Sequence, residues 1–268
     1  MIWLLLAAIG LFVGAFGTLI GVAGGFLLVP ILLYLYPDRT PASITAITLT
    51  VAFFNALSGS IAYARLRRID FRSGLTFSAA AVPGAIIGAS ITTYLDRGLF
   101  QIIFGSILLV LATYLMVRPM RRGATSLVRG NLVRQLTDPH GNVTTYTYHR
   151  TLGVVIAFFV GVVSGLLGIG GGIIHVPALT QVLGFPVHIA TATSQFVVGT
   201  STLAAGVLRL FTGAFAEVAG ETLVLAASAI AGAQVGARLS RRIPGPMIVR
   251  LLAIALGIVA IRLLIAPF

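Results

Sequence analysis

The sequence contains no cysteine and no lysine, which removes several kinds of chemistry at once. Without cysteine there is no disulfide, no thiolate nucleophile and no cysteine-ligated metal. Without lysine, the glycine-rich stretches GVAGG and GIGGG lack the residue that a Walker loop uses to hold phosphate. We therefore expect no direct use of ATP, no cofactor and no catalytic residues.

Charge is also scarce. Charged residues make up 9% of the chain, against about 25% in soluble domains, while apolar residues make up 58% and the mean hydropathy is +1.06. This composition predicts an integral membrane protein with six or more spans of roughly 20 apolar residues. We interpret the apolar run 1–17 as a mature span, because it lacks the basic start of a signal peptide.

One glycine-broken apolar segment occurs twice, as GTLIGVAGGFLLVP from Gly17 to Pro30 and as SGLLGIGGGIIHVP from Ser164 to Pro177. A shift of 147 residues relates the two copies. Much of the surrounding sequence matches at nearly the same shift, which predicts an internal duplication. The predicted units are a first repeat (1–117), a connecting segment (118–150) and a second repeat (151–268).

Each repeat is predicted to hold one broken segment and three intact spans. All are predicted to be helices, because backbone exposed to lipid must satisfy its own hydrogen bonds and no segment alternates like a barrel strand. The fold class is therefore an all-α polytopic membrane protein. The predicted positions are 3–36 (broken), 42–64, 72–95 and 99–117, then 152–184 (broken), 187–211, 219–239 and 246–265.

Arginine positions predict that the two repeats are inverted. The loop after the first intact span is basic at Arg65 to Arg68, but its counterpart at Thr212 to Glu221 has two glutamates and no base. The next loop reverses this, with bases at Arg238 to Arg242 in the second repeat. Because arginine-rich loops stay in the cytoplasm, equivalent loops face opposite sides. Each broken segment must then enter and leave on one side, as a re-entrant hairpin of two short helices, and both termini are predicted to be extracytoplasmic.

The connecting segment 118–150 carries six arginines and is predicted to lie in the cytoplasm. Within it, LVRQLT and VTTYTYHR flank the turn signal Asp138 to Asn142, a pattern that predicts a small amphipathic β-hairpin. We expect this segment to act mainly as a basic anchor of the topology, ahead of a regulatory or partner-binding role.

The glycine breaks form the predicted substrate site. Gly24, Gly25 and Gly170–Gly172 permit backbone angles closed to other residues and leave their amides uncovered. A helix that begins just after them directs free N–H groups and its positive end at the break, which suits an anion. Small residues also serve close helix packing, and we assign Gly84–Gly88 and Gly232–Gly236 to that role.

Polar side chains near the breaks are the remaining candidates for substrate contacts, since hydroxyls and amides bind oxyanions without a buried charge. Each Ser or Thr has the alternative of bonding to its own helix. His175 would contact an anion or carry a proton, or else pack as a neutral side chain. The candidates are Thr48, Asn55, Thr193, Ser194, Gln195 and His175.

Other charged residues are predicted to have no part in the site. No acidic residue lies deep in a predicted span, so neither a carboxylate proton relay nor a metal site is expected. Arg209 and Arg262 are predicted to snorkel from span ends. The expected partners are a small anion, the bilayer and an unidentified coupling ion, and nucleic acid is not expected.

Three stretches carry a family resemblance: Gly168 to Pro177, Ala192-Thr193-Ser194, and Tyr63 followed by Arg68-Ile69-Asp70. With these motifs the chain resembles the sulfite exporter TauE/SafE family of membrane permeases, across both repeats but not across 118–150. The resemblance implies transport of sulfite, sulfonates or sulfoacetate across a prokaryotic cytoplasmic membrane. Ala23 departs from the pattern, because the family motif has glycine there.

The leading hypothesis is a secondary permease that works by alternating access. Two other classes stay open. An intramembrane enzyme acting on a lipid or peptide needs a nucleophile paired with a base. A structural membrane subunit would hold a stable partner and carry no flux.

Overall fold

The computed structural model describes residues 2–117, 130–139, 141–211 and 218–265. Four arginines of the basic segment (Arg118, Arg121, Arg122 and Arg129) and most of the loop Thr212 to Glu221 lie outside the described residues. The described part forms ten α-helices, one π-helical segment and one two-stranded sheet. In chain order they are α1 (Ile2–Ile20), α2 (Gly25–Leu35), α3 (Pro41–Arg65), α4 (Phe71–Thr92), α5 (Arg97–Val117), β1 (Leu132–Thr137), β2 (Val143–Tyr148), α6 (Arg150–Leu167), α7 (Gly172–Pro177), the π-helical segment (Ala178–Val182), α8 (Val187–Phe211), α9 (Ala219–Leu239) and α10 (Gly245–Ile265).

The helices confirm the prediction of a mostly helical, polytopic membrane protein. Among the described residues, seven helices are long and apolar enough to cross a bilayer: α1, α3, α4, α5, α6, α9 and α10. Large apolar side chains such as Leu4, Phe12 and Ile258 are exposed on the outside of the bundle, as expected for a surface in contact with lipid. The core lies between the helices.

The two broken segments each consist of a long arm and a short arm. The long arms α1 and α6 have 19 and 18 residues, which gives each a length near ~28 Å at about 1.5 Å per residue. The prediction of two short helices is therefore wrong for the first arm of each segment. A methyl group on Gly24 would lie 2.4 Å from Val13 Cγ1, so the chain doubles back beside α1 before α2 begins.

Helices from the two repeats pair with each other. α1 packs on α9 and α4 packs on α6, while α3 packs on α8 and α5 packs on α10. The counterparts in the two repeats are α1 and α6, α3 and α8, α4 and α9, and α5 and α10. Exchanging each helix for its counterpart leaves this set of pairs unchanged. Every large interface between helices therefore joins one repeat to the other.

Contacts between loops define two ends of the bundle. At one end, called here the Arg39 end, Arg39 forms an ion pair with Glu221 at 3.0 Å. Trp3, at the start of α1, lies against Gly220 at the start of α9. Arg97 donates hydrogen bonds to backbone oxygens at the end of α2. The starts of α1, α5 and α9 and the end of α2 therefore meet there.

At the other end, called here the hairpin end, Arg68 lies within electrostatic reach of Arg241 and Asp138. Burial lowers the pKa of Arg68. Asp138 begins the turn of the antiparallel β-hairpin that β1 and β2 form, which confirms the hairpin predicted in the basic segment. The loop after α3, the loop after α9 and the hairpin therefore share this end.

The two arginines predicted to snorkel differ in burial: Arg209 is buried and Arg262 is exposed. Arg209 has a side chain with 0% exposure, so the prediction that it snorkels to the surface is wrong. The Arg262 guanidinium lies 4.9 Å from the ring centre of Tyr34, near the end of α2. Both guanidiniums are thus held against other parts of the chain.

Glycines bring the backbones of paired helices into direct contact. A methyl group on Gly88 would lie 1.9 Å from the carbonyl oxygen of Val162 on α6, and one on Gly236 would lie 2.1 Å from that of Ala15 on α1. The structure thus confirms the packing role predicted for Gly84–Gly88 and Gly232–Gly236.

We expect Gly88→Ala to lower the free energy of unfolding by about 1–3 kcal/mol, because the added methyl overpacks a backbone contact. Gly257→Ala is the matched control, since its methyl would meet only Ala112 Cβ at 3.9 Å. Thermal unfolding of the purified protein in detergent measures both. Equal melting temperatures for the two variants would contradict the packing argument.

Candidate functional site

The two glycine breaks have the same backbone conformation. Gly21, Ala23 and Gly24 have φ angles of 80°, 55° and 75°, and their counterparts Gly168, Gly170 and Gly171 have 69°, 78° and 73°. Ala23 therefore adopts the left-handed conformation that glycine provides in the second break. The methyl group of Ala23 adds a side chain to the first break but leaves the course of its backbone the same as in the second.

The two breaks also contact each other reciprocally. A methyl group on Gly172 would lie 2.5 Å from the Cα of Val22, and one on Gly25, the counterpart of Gly172, would lie 2.8 Å from the Cα of Ile169, the counterpart of Val22. When residue i contacts j and the equivalent of j contacts the equivalent of i, the two surfaces are related by a two-fold axis. The breaks thus meet at one point inside the bundle.

A closed cavity of about 10 Å³ lies at the second break. That volume is roughly the space of one water molecule. Its polar side chains are Ser164, His175 and Ser201, and its backbone wall is formed by Gly170 and Gly171. The remaining walls are apolar: Ala81, Ala157, Val160, Gly161, Val197 and Val198.

Two of the three polar side chains at this cavity have no hydrogen-bond partner within the described chain, while Ser201 donates to the carbonyl oxygen of Val198 at 3.1 Å. The Ser164 hydroxyl and both His175 ring nitrogens are buried without a hydrogen bond. Each of these two side chains is only 1% exposed. No backbone acceptor in the described residues takes the N–H groups of 170–173, which precede the first hydrogen-bonded turn of α7. Buried polar groups are normally satisfied, so this set of free donors is suited to a bound anion.

Several of the predicted site residues lie at the two glycine breaks. Gly170, Gly171 and His175 line the cavity. Thr48 lies beside the second break, where a methyl group on Gly168 would come within 2.9 Å of its hydroxyl oxygen. Ser194 lies at the first break and donates to the carbonyl oxygen of Gly21 at 3.1 Å.

Asn55 and Gln195 belong to a separate polar cluster near the first break. Thr18 donates to Asn55 Oδ1 at 2.7 Å and accepts from Gln195 Nε2 at 3.3 Å. Tyr63 donates to the carbonyl oxygen of Thr18 at 2.8 Å. Thr193 lies elsewhere, where its hydroxyl accepts from the backbone N–H of Asp70.

The first break lacks the polar side chains that line the cavity at the second. The positions equivalent to Ser164 and His175 are Gly17 and Leu28. Around Gly24, the side chains of Ala23, Ala52, Ala56 and Val198 form an apolar cluster instead. The two breaks share a backbone but differ in the side chains that complete them.

Aromatic rings connect the cavity to the β-hairpin. The Phe77 ring lies 5.8 Å from the His175 ring, edge to face, and 5.8 Å from the Tyr148 ring. The ring centre of Phe185, after the π-helical segment, lies 4.9 Å from that of Tyr148 and 4.6 Å from that of Tyr146. These rings fill the space between the cavity and the hairpin end.

Asp70 anchors the hairpin to the helices. Its carboxylate accepts hydrogen bonds from Tyr146 at 2.8 Å and Ser73 at 2.5 Å, and Arg134 of β1 lies 3.5 Å away. Tyr148 shares a hydrogen bond of 2.7 Å with the Ser73 hydroxyl. Burial, followed by the negative charge of Asp70, raises the pKa of Tyr146. The hairpin is therefore part of the folded core, beyond the anchoring role predicted for its arginines.

Sequence reasoning missed three of these residues as parts of a site. Ser164 is not among the predicted substrate contacts, although it stands where the first repeat has Gly17. That difference between equivalent positions is the signal that points to it. Thr18 and Tyr146 gave no local signal, because their partners are distant in sequence.

We expect Gly24→Ala to destabilise the protein by about 1–3 kcal/mol, because its methyl would overlap Val13 in a left-handed backbone position. Ala23→Gly is the control. The equivalent position in the second break is Gly170, which has the same left-handed conformation, so glycine fits there. We expect its stability to change by about 1 kcal/mol or less. Thermal unfolding in detergent compares them, and a Gly24→Ala variant as stable as the wild type would contradict this account of the break.

We expect alkaline pH to weaken the fold through Tyr146. Its pKa is raised in the folded state, so its contribution is complete below the ordinary tyrosine pKa of about 10 and declines as the pH rises above that value. Tyr146→Phe should lose the hydrogen bond but show a smaller decline between about pH 9 and 11. Melting temperatures across that range test this, and parallel curves for the two proteins would contradict it.

Comparison with known proteins agrees with this architecture. The family described as "Sulfite exporter TauE/SafE" matches residues 6–263. The "Probable membrane transporter protein YunE" of Bacillus subtilis is 32% identical over 270 residues, covering 98% of each chain. The "Probable membrane transporter protein ORF9" of Sinorhizobium is 28% identical, covering 96% of this chain and 92% of its own. No solved structure matches the chain.

The span of the family match, residues 6–263, runs across the segment 118–150, which the resemblance was expected to omit. The relatives are named as membrane transporters, in agreement with a chain that crosses the membrane several times. The chain belongs to the sulfite exporter TauE/SafE family and is a membrane transporter of that kind.

Proposed function

We propose that the protein is a secondary permease that carries a small oxyanion by alternating access, with the substrate held at the second glycine break. One observation carries the proposal: a buried cavity where the unpartnered side chains of Ser164 and His175 meet the backbone of Gly170 and Gly171, whose N–H groups have no backbone acceptor in the described residues. Such donors match the oxygens of an anion. The apolar walls match a substrate with a small uncharged portion.

Contacts at the two ends support inverted repeats. α1 begins at the Arg39 end beside Gly220, and α2 ends there beside Arg97. α6 begins at the hairpin end directly after β2, and its broken segment leads to Phe185, which packs on the hairpin. The two broken segments thus enter and leave at opposite ends, as inverted repeats require.

Charge supports the orientation of the protein in a prokaryotic inner membrane. The hairpin end carries the arginines of both basic loops, including Arg68 and Arg241, so that end is cytoplasmic. Trp3 lies at the Arg39 end, which makes the N-terminus extracytoplasmic. Arg262 against Tyr34 brings the end of α10 to that same side.

The substrate class follows from the family and the site together. The family description names sulfite, and sulfite and organosulfonates such as sulfoacetate present three oxygens on one sulfur. A cavity of about 10 Å³ is smaller than these anions. Binding of these anions therefore requires the cavity walls to separate when substrate enters.

An intramembrane hydrolase fits this site less well. A Ser nucleophile is activated by a base within hydrogen-bond distance, yet the Ser164 hydroxyl has no hydrogen-bond partner in the described chain. The described residues also contain no cluster of metal-ligating side chains. A structural subunit is distinguished by the absence of flux.

We expect Gly172→Ala to reduce sulfite flux into proteoliposomes at least about tenfold, because its methyl would push the two breaks apart. Ser164→Ala keeps the backbone intact and should reduce flux by a similar factor through loss of a hydrogen bond to the anion. Gly257→Ala, far from both breaks, should transport like the wild type. Full sulfite flux in both the Gly172 and Ser164 variants would overturn the proposed site.

A further inference from the structure

We propose that His175 takes up one proton together with the substrate anion, so that the second break binds an oxyanion and a proton as a pair. The inference rests on the function proposed for this cavity. It names the coupling ion of that function and assigns the residue that carries it.

The first step is the isolation of the imidazole. His175 is 1% exposed, and neither ring nitrogen has a hydrogen-bond partner. Its neighbours are the Phe77 ring on α4 and the apolar cavity walls on α6 and α8. A neutral imidazole in that position has one N–H donor and one bare nitrogen free to act on a ligand.

The second step is the absence of a counter-charge. Apart from His175 itself, none of the residues that line the cavity is ionisable. Asp70 is occupied by Tyr146, Ser73 and Arg134, and Tyr148 is separated from His175 by Phe77. The nearest ionisable residues on the packed helices stand about two turns or more along the chain from the lining residues: Arg72 on α4 and Asp70 just before it, Arg150 on α6, and His188 and Arg209 on α8.

The third step couples the two ligands. A buried imidazolium without a counter-charge is costly, and so is a buried anion without a cation. Bound together, each supplies the charge that the other lacks, and the coupling is necessarily reciprocal. The empty site therefore holds a neutral imidazole, and the loaded site holds an imidazolium beside the anion.

This coupling has a consequence for transport. A monovalent anion that crosses with one proton moves no net charge, so its flux responds to the pH gradient and not to the membrane potential. In the first repeat, the position equivalent to His175 is Leu28, which has no titratable group. One proton per transport cycle is thus the expected ratio.

The experiment uses methanesulfonate, whose single charge is constant across the pH range in which histidine titrates. Purified full-length protein in detergent and weak buffer is mixed with methanesulfonate while a pH indicator reports proton uptake. We expect about one proton per bound anion, and an affinity that weakens about tenfold for each unit of rise in pH where the empty site is neutral. An imposed potassium diffusion potential should leave methanesulfonate flux in proteoliposomes unchanged.

Variants isolate the histidine. His175→Gln keeps a hydrogen-bond donor, so it should bind methanesulfonate without proton uptake and without dependence on pH. Ser164→Ala should bind more weakly with the same proton ratio. His188→Gln, whose half-buried side chain is not among the cavity-lining residues, should behave like the wild type.

The outcomes separate this inference from the proposed function. Methanesulfonate binding without proton uptake in the wild type, or unchanged uptake in His175→Gln, would overturn the pairing of proton and anion but leave the anion site. Failure of the wild-type protein to bind methanesulfonate, sulfite or sulfate would overturn the anion site, and the inference with it.

Discussion

The contact between the two glycine breaks is the constraint on which the rest of the structure depends. Gly172 lies against Gly21 and Val22, and Gly25 lies against Ile169, at distances that exclude any side chain. The left-handed residues at each break end α1 and α6 at this contact. The short arms must then turn back, and α3 and α8 must flank the breaks to bury the polar groups that the turns leave.

The same constraint explains why a symmetric fold produces a one-sided site. Duplication gives both breaks the same φ angles, but Gly17 and Leu28 stand in the first repeat where Ser164 and His175 stand in the second. Backbone amides are present in both copies, because the turn itself creates them. The buried polar side chains Ser164 and His175 are present in one copy only, so the two breaks share a backbone and differ in the side chains that the proposed site uses.

Sequence patterns predicted the elements better than the contacts between them. Hydrophobic length and glycine–proline punctuation predicted the spans, both breaks and the β-hairpin, because each depends on neighbouring residues. The link between Asp70 and Tyr146, 76 positions apart, depends on how α4 meets the hairpin, and no local pattern encodes it. The snorkelling predicted for Arg209 failed for a related reason, since a position near a span end does not reveal which neighbour covers it.

The paired glycines also limit which parts of the protein move against each other. At the α4–α6 and α1–α9 interfaces, glycines such as Gly88 and Gly236 bring backbone against backbone, with no side chain able to change rotamer. Each pair therefore behaves as one rigid unit that contains a helix from each repeat. The aromatic contacts among Phe77, Tyr148 and Phe185 consist of side chains, which rearrange at lower cost than backbone contacts. These rings lie between the hairpin end and the cavity, so on the proposed function the hairpin that carries Tyr148 would contribute to access and not only to anchoring.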